Sequence, residues 1–163
     1  MSKKLALLAA CLLWATMATA QTRVSTQDFV TKVAISDMME IQSSQLALAR
    51  QPDADSKPFA EKMVQDHQQT SRELKALVDS GKVKASLPSA LGAEHQKKLE
   101  DLKAKSGKDF DRSYDQMQVQ AHEEAVALFE GYAASGDNPD LKSWAEMTLP
   151  HLKEHLAMAK KLS

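Results

Sequence analysis

The chain has 163 residues, 21 basic and 22 acidic side chains for a net charge of −1, one cysteine and few aromatics. Such a length supports one ordinary domain, the lack of a basic excess argues against a nucleic-acid partner, and a lone cysteine excludes a disulfide framework. Ala, Leu, Lys, Glu and Gln are abundant while Gly and Pro number five each, a composition that favours helix.

Lys3 and Lys4 precede an uncharged apolar run from Leu5 to Ala15, and Ala18-Thr19-Ala20 places small residues at the spacing of a cleavage site. Residues 1–20 therefore read as a signal peptide and residues 21–163 as the exported domain, bound for the periplasm or cell envelope. The apolar run is too short for a spanning anchor and gives way to the polar residues 21–26, so no transmembrane segment is expected in the mature chain. Leu8-Ala9-Ala10-Cys11 resembles a lipoprotein box, but apolar residues continue to Ala20, which favours cleavage there over a lipid on Cys11. Loss of Lys3 and Lys4 moves the net charge to −3.

Ser25-Thr26-Gln27-Asp28 has the form of a capping box and opens a helix expected to reach Arg50, with Gln51-Pro52-Asp53 as the turn. A second helix is expected from Ser56 to Ser80, with Pro58 in its first turn and Gly81 as its stop. A long crossover follows, in which Leu87-Pro88-Ser89 is expected to start a short helix that ends near Lys105. The third long helix is expected over 108–134, and the fourth starts at Pro139 after Ser135-Gly136-Asp137-Asn138. No stretch alternates with a period of two, so the fold class is all-α. Two helical hairpins joined by a long connection have the topology of a ferritin-like four-helix bundle.

Helical periodicity gives the inward faces. Ala60, Met63, His67, Thr70, Leu74 and Leu77 form one stripe on the second helix, and Leu141, Ala145, Thr148, Leu152, His155 and Ala159 another on the fourth. On the third helix Phe110, Tyr114, Met117, Ala121, Ala125 and Leu128 form the apolar face, with His122 expected at its edge beside Gln118 and Phe129. Glu40 projects between Phe29 and Val33 on the first. Each long helix thus offers one titratable group: Glu40, His67, His122 and His155. Counted from the turns at about 1.5 Å per residue, the two members of each hairpin come to similar heights.

Three imidazoles and a carboxylate suit one transition-metal ion, zinc, copper or iron. A metal would also relieve the cost of burying them; the alternative is a mutual hydrogen-bond network with Glu40 accepting from the histidines and Tyr114 or Thr70 completing it. His151-Leu152-Lys153-Glu154-His155 has the spacing of an inverted zinc-protease motif, but the wheel turns Glu154 outward and leaves His151 on the flank. Pro150 is expected to bend the last helix before His151. His95 reads as a surface or packing residue, and no catalytic constellation is present, so binding is favoured over catalysis.

Phe59-Ala60-x-x-Met63-x-x-Asp66-His67, Gly107-x-x-Phe110-Asp111-x-x-Tyr114, Gln118-x-x-x-His122 and Thr148-Leu149-Pro150-x-Leu152-x-x-His155-Leu156 resemble the bacterial domain-of-unknown-function family 4142. The resemblance runs from Phe29 to Leu162 and implies a ferritin-like helical fold, export to the envelope and polar core residues at Glu40, His67, His122 and His155. It implies no established reaction. A di-iron centre needs Glu-x-x-His on two helices, and here Val64 and Leu152 stand where those carboxylates belong. Two functions follow as expectations: a metal-binding bundle, or a non-catalytic envelope or stress-related interaction protein with a protein partner, a second copy or a lipid as its target, for which Ile35, Met39 and Leu46 on the first helix offer an apolar strip unless the crossover helix covers it.

Overall fold

The computed structural model describes residues 23–50 and 54–162. The expected leader, Cys11 and the turn at 51–53 lie outside the described residues. Those residues form five helices and no strand: α1 (Thr26–Ala49), α2 (Ser56–Asp79), α3 (Ala93–Lys103), α4 (Gly107–Ser135) and α5 (Pro139–Ala159).

Local chemistry explains most of the boundaries. The Ser25 hydroxyl accepts the Asp28 amide at 3.1 Å and caps α1. Gly81 takes φ 75° just beyond α2, a left-handed conformation that glycine enters without a Cβ clash. The Asn138 side chain accepts the Leu141 amide at 2.9 Å, and Pro139 begins α5 where a missing N–H costs nothing. Helix α5 continues through Pro150 to Ala159.

The crossover departs from expectation. Helix α3 starts at Ala93, after Gly92, and not at Pro88. The Gln27 amide donates to the Ser86 carbonyl and accepts the Ser86 N–H, both at 2.9 Å, so α1 holds this stretch as it would hold a strand. Val83 is buried and Leu87 packs on the same core, so tertiary contact overrides the proline signal. At the other end, Arg50 donates to the carbonyls of Lys103 and Lys105 at 2.8 and 2.9 Å, which satisfies backbone acceptors that the end of α3 leaves open.

Helix α1 lies along α2 and α4 along α5, while α1 also touches α4 and α2 touches α5, so the long helices close a ring of contacts. Helix α3 packs across α1 and α4 from outside. It covers part of the apolar strip of α1, where Met39 is buried and Ile35 half-buried.

Two apolar cores result. One is centred on Phe29, Val33, Leu74, Phe129, Trp144 and Leu152. The second gathers Ala47, Phe59, Met63, Leu102, Phe110 and Tyr114. Between the contributions of each long helix to these cores lies a short polar stretch, with Asp37, Glu40, Ser43, Ser44, His67, Gln118, His122 and His155 all buried. The candidate site is this interlayer.

Candidate metal centre

Each histidine reaches the interlayer because it replaces an apolar residue on an inward-facing stripe. His67 follows Met63 by one turn on α2, His155 follows Leu152 on α5, and His122 follows Gln118 on α4. The side chains of these residues have nowhere else to go, since all six are buried. His122 lies at the middle of the inward face of α4 and not at its edge, because the buried line runs Phe110, Tyr114, Gln118, His122, Phe129. The line Met117, Ala121, Ala125, Leu128, expected as the core face, is half-buried and lines a cavity.

The rings of His67, His122 and His155 form a triangle with centroid separations of 5.6, 5.7 and 5.4 Å. One ring nitrogen from each lies within 4.8 Å of the others. Three points so spaced share a centre no more than about 2.8 Å from each, and a metal–imidazole bond is about 2.0–2.1 Å. Side-chain movements of well under 1 Å would close the shell.

The outer nitrogens fix the tautomers. His67 Nδ1 is 2.8 Å from the Asp37 carboxylate, His155 Nε2 is 2.8 Å from Asp66, and His122 Nδ1 is 2.8 Å from the Gln118 carbonyl. A carbonyl or carboxylate can only accept, so each of these nitrogens donates its hydrogen outward. The opposite nitrogens, His67 Nε2, His122 Nε2 and His155 Nδ1, are buried and have no hydrogen-bond partner. In the neutral rings these are lone pairs. Oriented imidazoles with outward hydrogen bonds are the arrangement that metal-binding histidines adopt.

Electrostatics separate the three rings. Burial pushes the His155 pKa down to about 4 despite its bond to Asp66. His122 is likewise pushed down by burial. Burial opposes charge on His67 as well, but the hydrogen bond to Asp37 and the negative charges of Asp37 and Glu40 outweigh it, so its pKa is raised. Burial raises Asp37. Asp66 is lowered: burial opposes its charge, but hydrogen bonds from Lys62 and His155 prevail. With His155 and His122 neutral at ordinary pH, two of the three donors are free of protons.

Glu40 is 1% exposed, and one carboxylate oxygen, Oε2, has no partner. It is not a member of the group whose donor atoms lie within 4.8 Å of one another. The network expected around Glu40 also takes another form: Asp37 and Asp66 receive the histidine hydrogens, Tyr114 pairs with Ser44 at 2.9 Å, and Thr70 donates to the backbone of Asp66. Asp37 had a readable signal, since it stands three residues before Glu40 and shares its helical face. His151 and Glu154 are exposed, so the inverted protease spacing does not assemble. Leu152 is buried in an apolar core where a di-iron carboxylate would stand.

These features define an all-helical protein with a buried three-histidine centre. The family model described as a domain of unknown function, DUF4142, matches residues 13–162, and the chain belongs to that family. No curated protein and no solved structure matches the chain.

Proposed function

We propose that the protein is an exported ferritin-like four-helix bundle, residues 21–163, that binds one transition-metal ion through His67, His122 and His155 in the periplasm or cell envelope. The observation that carries the reading is the set of three inward nitrogens, each buried and unpartnered while its ring's other nitrogen is held by an acceptor. Leaving a buried ring nitrogen unsatisfied costs about 1–3 kcal/mol, and a cation removes that cost. A hydrogen-bond network alone leaves these same atoms without partners.

Imidazole donors suit zinc and copper best and also accommodate ferrous iron. Glu40 supplies a nearby negative charge that offsets the cation, and three protein donors leave a coordination position for water, as in sites that exchange their fourth ligand. The test is a calorimetric titration of tag-free residues 21–163 with Zn²⁺ and Cu²⁺. One equivalent should bind, and His67→Ala combined with His155→Ala should abolish that uptake. A wild-type chain without stoichiometric uptake, or a double variant that still takes up one equivalent, refutes the reading.

A further inference from the structure

A cavity of about 700 Å³ lies beneath α3, between it and the α1–α4 face. Its walls are mainly apolar, with Val33, Met39, Ala121, Ala125 and Leu128 among them, and its inner end reaches Glu40 and His67. The volume falls in the range of about 300–1,000 Å³ typical of small-molecule sites. Helix α3 is anchored by Leu99 and Leu102, both buried, while its first turns place His95 and Lys98 on the cavity.

We infer that this cavity binds a small apolar molecule carrying one hydrogen-bond-donating head, an N–H or O–H group, directed at Glu40. Glu40 lines the cavity, and its Oε2 is buried and lacks a partner, so it is an acceptor awaiting a donor. His67 Nε2 belongs to the metal reading, whereas Glu40 stays available whether or not the histidines hold an ion. The second carboxylate at this end, Asp37, is already engaged by His67 at 2.8 Å and Ser71 at 3.1 Å. An anionic head would face both acids, and the basic side chain on the lining at that depth, His67, is already paired with Asp37. The lysines on the lining, Lys32 and Lys98, come from exposed or half-buried positions at the rim.

The test uses two fluorescent probes with one skeleton, on EDTA-treated residues 21–163. N-phenyl-1-naphthylamine is apolar with a single N–H; 1-anilinonaphthalene-8-sulfonate adds an anion. The first should bind at one equivalent and at least tenfold more tightly than the second. Ala125→Trp should fill the cavity and abolish binding while leaving helix content and metal stoichiometry unchanged. Glu40→Leu should weaken the amine probe and narrow the gap between the two. Absence of amine-probe binding, equal affinity for both probes, or binding unaffected by both substitutions overturns the inference. Because the probes are read on metal-free protein, loss of metal uptake with retained probe binding refutes only the metal reading, and the reverse result refutes only this one.

Discussion

His155 shows how one buried side chain ties pH to stability. Its pKa is about 4 in the folded chain against 6.5 for a free histidine. Above 6.5 neither state binds the proton; between 6.5 and 4 only the unfolded state does, so acidification through this window favours unfolding. A shift of this size corresponds to about 3 kcal/mol. Urea melts of metal-free protein at pH 7 and pH 4 should therefore show the gap between wild type and His155→Gln change by about 3 kcal/mol, with wild type losing more. In the proposed centre Asp37 and Asp66 would act on the ion through the rings that they hold. Asp37→Asn and Asp66→Asn should each lower metal affinity about 10–100-fold while keeping one equivalent, measured by competition with a chelator. The burial of His67 and His155 was legible because each interrupts an apolar stripe at helical spacing, whereas His122 was expected at the edge of its face and lies at the middle. Their partners were harder to read: Asp66 adjoins His67 and points along a different direction of α2, and only the packing of α5 brings His155 to within 2.8 Å of it.

Helices were legible wherever a cap and a periodic face agreed. Ser25 and Asn138 each accept an amide three residues on, and both helix starts fall where their residue types place them. Asn138→Ala should cost about 1 kcal/mol in urea unfolding, with metal stoichiometry unchanged, since the cap is remote from the interlayer in sequence and function. The start of α3 was not legible. Pro88 is a good first residue for a helix in isolation, but Gln27 takes both backbone hydrogen-bonding groups of Ser86, a contact 59 residues away along the chain. On α4 the apolar line with the more hydrophobic composition, through Met117 and Leu128, faces the cavity, while the line with Gln118 and His122 faces the ring of long helices. Periodicity locates a stripe but does not say which neighbour it meets.

Across the described residues as a whole, two apolar cores flank one polar interlayer, and that arrangement sets stability against binding. Metal-free protein keeps three buried ring nitrogens without a protein partner, a costly arrangement that apolar side chains of similar size would avoid. Replacing Asp37 together with His67, His122 and His155 by leucine, so that no buried acid is left without its histidine, should therefore stabilise the metal-free chain by about 1–4 kcal/mol and eliminate metal uptake. A thermal melt with and without zinc would then rise with metal for the wild type only. The relative height of the two hairpins could not be counted from turns, because each turn fixes only its own pair of helices. It is set by packing of α1 on α4 and α2 on α5. X-ray absorption at the edge of the metal bound to tag-free protein tests the centre most directly. Three imidazole nitrogens at about 2.0–2.1 Å are expected, and they should disappear in His122→Ala. A bound ion surrounded by oxygen alone, or an imidazole signal unchanged by that substitution, would contradict the assignment of the buried histidines as its ligands.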